Sequence, residues 1–235
     1  MKILSIDTAS NLCTVAILEN NKCIKEITIS DSRNHSEKIM PIIEQILKET
    51  NFNLKDINLI VCDKGPGSFT GIRIGVGTVL AFQDTLNIPC VGISSLEALA
   101  YNTCQNDNSK FICSLIDAKN DNVYFGLFKH ANNKYTQIGN LTFKNINEVL
   151  NLLQTEPTLN NEQITFIGDG AIINKNLIEN TIQNCSFCNK NDLSSFSLGL
   201  AGYETYKKGI QTTIMPLYLR KSQAERALEE KLSKN

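Results

Sequence analysis

Two histidines in 235 residues leave little room for nucleophilic or metal chemistry. Ser/His/Asp and Cys/His arrangements need an imidazole beside the nucleophile, and neither His35 nor His130 has a visible partner. Ile39, one helical turn after His35, cannot ligate, and Glu37 and Glu44 complete no facing pair. His35 therefore reads as a capping or packing residue. An excess of one charge is missing too: 23 Lys and Arg stand against 24 Asp and Glu. That balance excludes a protein held on nucleic acid by bulk charge. No apolar run is long enough to span a membrane, and Met1–Asp7 is too short for a signal peptide. A cytoplasmic chain is the expectation. Its eight cysteines, such as Cys13, Cys62 and Cys113 within apparent strands, then read as free, small apolar residues. Cys185 and Cys188 form a lone C-x-x-C pair without the second pair that a zinc site needs. Neither a metal nor a cofactor is expected.

The most structured stretch is Gly65 to Gly75, Gly-Pro-Gly-Ser-Phe-Thr-Gly-Ile-Arg-Ile-Gly. An apolar strand, Ile57–Cys62, precedes it, and Ser68 or Thr70 can cap a helix that runs to about Asn87. Strand, glycine turn and helix N-terminus suit an anion. The Gly-Lys-Ser/Thr phosphate loop and a clean dinucleotide fingerprint are both absent, so the motif alone licenses no nucleotide. From Gly71 to Leu86 only Arg73, Gln83 and Asp84 are strongly polar, so more than one side of this helix needs covering. Gly67, Gly71 and Gly75 recur every fourth residue, with Gly77 and Thr78 beside them. Each helical glycine costs about 1 kcal/mol relative to alanine. Close packing inside the chain and close packing against another chain both explain such a stripe.

Three strands joined by short turns open the chain, at Ile3–Thr8, Cys13–Leu18 and Lys22–Ile29. A helix from Ser36 to Thr50 follows, with Ile39, Ile42, Ile43, Ile46 and Leu47 at helical spacing and Pro41 expected to bend it. Ser94–Glu97 has capping-box spacing. Residues 103–109 form a polar boundary, after which the pattern restarts. At an offset of 110, Ile6–Asp7 falls on Ile116–Asp117 and Cys13–Leu18 on Val123–Phe128. Gln163–Ile167 and Gly168-Asp-Gly170 echo the strand and glycine turn of the first half. The expectation is an α/β fold of two lobes, residues 1–105 and 106–235, from a duplicated mixed-sheet unit. A helix near 193–208 packs back on the first lobe, and the charged tail after Arg220 frays. Such halves resemble the actin-like, ribonuclease-H-like architecture, in which a nucleotide sits between two strand-end turns. Asp7 and Asp117 occupy those turns, but Asp7-Thr8-Ala9 and Asp117-Ala118-Lys119 lack glycine and read as side-chain turn caps.

Asp7-Thr8-Ala9-Ser10, His35-Ser36-Glu37, Gly65–Gly75, Ser95-Leu96-Glu97-Ala98 and Pro216-Leu-Tyr-Leu-Arg220 together resemble the TsaB (YeaZ) family. It is the dimerisation subunit of the bacterial tRNA threonylcarbamoyladenosine machinery. The resemblance implies a non-catalytic scaffold. It binds and activates a catalytic TsaD-type paralogue, alongside a small TsaE-type ATPase, and is a homodimer in isolation. It also implies a contact surface on helices 36–50 and 70–86. Ile39, Ile42, Ile43, Ile46, Gly67, Gly71, Arg73, Ile74, Gly75 and Thr78 are expected there, and Gly75→Leu is expected to block association in a folded monomer. Asp7, Thr8, Asp117, Gly168 and Gly170 are expected to mark a degenerate nucleotide site. The alternative is an ATP-dependent phosphotransferase or hydrolase that uses Asp7 and Asp117.

Overall fold

The computed structural model describes residues 1–30, 34–102, 109–131, 134–210, 212–221 and 225. The boundary at 103–108 and most of the tail after Arg220 lie outside the described residues. Strands β1 (Lys2–Asp7), β2 (Leu12–Glu19) and β3 (Lys22–Ser30) form the expected meander. Helix α1 (His35–Glu49) follows and runs through Pro41 without interruption. Then come β4 (Leu59–Asp63), α2 (Phe69–Leu86), β5 (Cys90–Ile93) and α3 (Ser95–Tyr101). Ser68 caps α2 by accepting from the Gly71 amide, and Asn87 ends it with φ 53°.

The second half repeats this order as β6 (Phe111–Asp117), β7 (Asn122–Ala131), β8 (Lys134–Asn145) and α4 (Ile146–Thr155). It continues with β9 (Ile164–Ile167), α5 (Asp169–Ile173), α6 (Lys175–Thr181), β10 (Cys185–Phe187) and α7 (Ser195–Lys207). One sheet is ordered β3-β2-β1-β4-β5 and the other β8-β7-β6-β9-β10, so strand for strand they are the same sheet. Within each, two antiparallel pairings give way to two parallel ones.

The layers explain which helix faces are free. Helices α1 and α2 cover one face of the first sheet, with Ile39, Ile42, Ile43, Ile46, Ile72 and Val76 in the core beneath them. Helices α4 and α6 cover the outer face of the second sheet through Val149, Leu150 and Ile178. Between the sheets lie α3 and α7, each packed on the sheet of the other half: α7 against β1, β2, β4 and β5, α3 against β6, β7 and β8. The terminal helix does pack back on the first half. Both sheets and both helices contribute to one central core, including Ile3, Val61, Leu96, Ile112, Phe128 and Leu198.

Candidate functional site

Strand ends bring the two aspartate turns to a cleft of about 280 Å³, lined by Ala9–Asn11, Pro66–Ser68, Ile116–Lys119, Tyr124, Asp169 and Leu193. Asp7 does not line this cleft, and the carboxylate of Asp117, which does, is engaged by its own turn. Asp7 is buried, and its Oδ1 accepts from the Ala9 amide at 2.7 Å. Asp117 Oδ1 accepts from the Lys119 amide at 3.0 Å, and its Oδ2 pairs with Lys119 Nζ at 2.6 Å. These are the side-chain turn caps that the glycine-free sequences call for. Asp169 Oδ1 accepts from the Asp117 amide at 2.9 Å, closing the second turn from the other side. Burial raises the Asp169 carboxyl above its ordinary range.

The glycines near these turns serve packing. Gly168 has φ 103°, and a Cβ there would collide with the Leu115 carbonyl oxygen. A Cβ on Gly170 would stand 3.0 Å from the Asp117 amide nitrogen. Thr8 turns its hydroxyl away from the cleft and donates to the Gly71 carbonyl at 2.7 Å. The Ala9 carbonyl accepts from the Ser68 amide at 2.7 Å. These two bonds tie the Asp7 turn to the N-terminus of α2.

This docking corrects the expected role of the glycine stripe. A Cβ on Gly67 would fall on the Ala9 carbonyl oxygen, and one on Gly71 on that of Thr8. One on Gly75 would reach within 2.6 Å of Thr8 Oγ1. All three glycines face the chain's own first turn, so Gly75→Leu is a packing lesion rather than an interface probe. Ile39, Ile42, Ile43 and Ile46 are likewise no more than 2 % exposed and cover the first sheet. They are core, because apolar residues at helical spacing beside a sheet have that sheet to bury against.

The outward face of α2 is different. Arg73, Gly77, Leu80, Ala81 and Asp84 are exposed, with Ile74 and Thr78 half-buried beside them. Among the described residues nothing lies within 4 Å of a Cβ built on Gly77. On α1, Met40 and Glu44 are exposed, Met40 by 50 %. The C-terminal segment borders this face. Tyr218 stacks on Phe69 with ring centroids 4.5 Å apart, and Arg73 Nε donates to its hydroxyl at 2.8 Å. Two residues on, Arg220 reaches the second half, donating to the Ala118 carbonyl at 2.8 Å and lying over the Phe143 ring. Tyr218→Ala removes the stack and frees Arg73, so it should cost about 1–2 kcal/mol of stability in urea unfolding.

His35 is buried, and its Nε2 has no hydrogen-bond partner among the described residues. Among the described residues no group of three or more His, Cys, Asp or Glu could hold a metal ion. Cys185 lies in β10 and Cys188 just beyond it, both half-buried and free. No described helix is long and apolar enough to cross a membrane. One buried acid was not anticipated. Asp63 ends β4 beside Asp7, one residue beyond the apolar run that closes at Cys62.

Comparison with known proteins agrees with this architecture. The family model for TsaD, tRNA N6-adenosine threonylcarbamoyltransferase, matches residues 22–228. A tRNA threonylcarbamoyladenosine biosynthesis protein TsaB of Bacillus subtilis is 29% identical over 228 residues, 96% of each chain. The TsaB of Buchnera aphidicola subsp. Acyrthosiphon pisum is 31% identical over 177 residues, 73% of this chain and 79% of its own. YeaZ from Pseudomonas aeruginosa superposes with a TM-score of 0.77 at 23% identity, over 93% of this chain and 99% of that one. A ROK hexokinase from Thermus thermophilus superposes with a TM-score of 0.52 at 10% identity, over 89% of this chain and 100% of that one, a likeness of fold that places the chain in the actin-like class. The chain belongs to the TsaB (YeaZ) family of tRNA threonylcarbamoyladenosine biosynthesis proteins.

Proposed function

We propose that the chain is a non-catalytic subunit of the threonylcarbamoyladenosine machinery, which docks on a TsaD-type catalytic paralogue and activates it. The observation that carries this reading is Gly77. It is an exposed glycine in the interior of an apolar helix, with open space where its side chain would be. Such a glycine costs about 1 kcal/mol. The inner glycines offset that cost by close approach to Thr8 and Ala9, and Gly77 has no such return among the described residues. A partner helix laid across Arg73, Ile74, Gly77, Thr78 and Leu80, bordered by Met40 of α1, would supply it.

The same face would pair two copies of the chain in isolation and exchange one copy for the paralogue in the complex. A small TsaE-type ATPase completes the assembly in this reading, and tRNA is at most an indirect contact, given the near-neutral charge. The units 1–105 and 106–235 act as two lobes in the cytoplasm, the first carrying the docking face. Capped turns, and the bonds that tie the Asp7 turn to the N-terminus of α2, argue against the ATP-dependent alternative. Calorimetric titration with Mg-ATP should give millimolar affinity or none. A micromolar dissociation constant abolished by Asp117→Ala would restore the phosphotransferase or hydrolase reading. In reconstituted tRNA modification, the paralogue should require this chain, and Asp117→Ala should support it as well as the wild type does.

A further inference from the structure

The strongest unassigned feature is a pair of buried acids beneath the glycine turn. Strands β1 and β4 run parallel with Ile6 opposite Cys62, which sets Asp7 and Asp63 side by side at their ends. Each carboxyl spends one oxygen on local donors. Asp7 Oδ1 accepts from the Ala9 amide, and Asp63 Oδ1 accepts from the Gly65 amide and the Ser95 hydroxyl, each at 2.7 Å. The other oxygen of each is buried and meets no donor among the described residues. Two carboxylates side by side in a dry site do not both stay ionised. We propose that Asp7 and Asp63 form a proton-binding site, in which Asp7 Oδ2 carries a proton donated to Asp63 Oδ2. That bond clamps the Asp7–Ala9 turn to the Gly65–Gly67 turn that launches α2.

The surroundings assign the proton. Asp63 has two donors and Lys64 next to it, so it is the anion. Asp7 has one donor, and its carboxyl is raised well above the ordinary range by burial and then by the charges of Asp63 and of Glu26 on β3. Burial pushes Asp63 up to about 6. The other titratable groups packed nearby are silent at neutral pH or turned elsewhere. Burial raises the Cys13 thiol on β2 to about 11 and the Cys62 thiol well above its usual range. Glu97 on α3 is raised by burial and feels Lys64. From β2 and α7, the Thr14 and Ser195 hydroxyls bond each other and the backbone, leaving none for Asp7.

Folding then takes up a proton, because both native carboxyls titrate above the unfolded value of about 3.9. The stabilisation is complete below about pH 4 and is lost as pH rises through 6 and beyond. Melting temperatures of the wild type, Asp7→Asn and Asp63→Asn at pH 5 and pH 8 test this. In either variant an amide N–H replaces the shared proton at every pH. Between the two pH values the wild type should lose about 5–10 °C more than either variant. Equal losses in all three overturn the proposal, as does restoration of the wild type at pH 8 by Mg²⁺ or K⁺, which would make the pair a cation site. Should neither variant fold, the ¹³C titration of the aspartate carboxyls decides. One buried carboxyl still protonated at pH 6 supports the shared proton, and full ionisation there contradicts it.

Discussion

Gly71→Ala is expected to cost about 3 kcal/mol or more, a large share of the stability of a domain this size. A single methyl has this effect because of what it meets. The added carbon would land on the Thr8 carbonyl oxygen, and backbone cannot rotate aside as a side chain can. Three bonds hold that carbonyl's turn in place: Asp7 to the Ala9 amide, Thr8 Oγ1 to the Gly71 carbonyl, and the Ser68 amide to the Ala9 carbonyl. Helix α2 must move off the sheet or the turn must break. Thermal unfolding should show a fall of roughly 6–12 °C. A variant that melts with the wild type would mean that the turn and helix are not in contact.

Gly77→Leu is expected to do the reverse. Six residues further along the same helix, an added Cβ meets nothing among the described residues. Leucine is the better helix former by about 0.8 kcal/mol, so the isolated monomer should melt roughly 2–3 °C higher. Association should suffer, because four added carbons hold two close-packed helices apart. An overpacked contact of this kind costs about 3 kcal/mol, or roughly a hundredfold in dissociation constant. The pair of variants separates the two sides of α2, with Gly71 reporting on the fold and Gly77 on the partner. Unchanged self-association and paralogue binding by Gly77→Leu would move the docking face elsewhere.

Much of the fold was legible in the sequence for a physical reason. Each half opens with a buried strand that ends on an aspartate, and that strand is central to its sheet, so the restart at Ile116–Asp117 marks the second sheet. The turn caps were legible too, since a turn without glycine leaves its aspartate to bind the backbone. Helix α2 was legible, but which of its faces turns inward was not. A four-residue glycine repeat says that something approaches closely and not whose backbone it is. The Thr8 hydroxyl that bonds the Gly71 carbonyl lies 63 positions away in sequence. The isoleucines of α1 carry the same ambiguity, and the first sheet resolves it by covering them. Gly77 lies off the repeat, and its meaning depends on the open space around it, which sequence does not show. Asp63 was missed because nothing local shows that β4 pairs in parallel with β1, and only that pairing sets two acids side by side.

Sedimentation velocity of the purified chain, alone and mixed with a TsaD-type catalytic paralogue, tests the scaffold reading most directly. The account predicts a homodimer that gives way to a one-to-one heterodimer, with both species lost together in Gly77→Leu while the monomer stays folded. A chain that remains monomeric and does not sediment with the paralogue would contradict it.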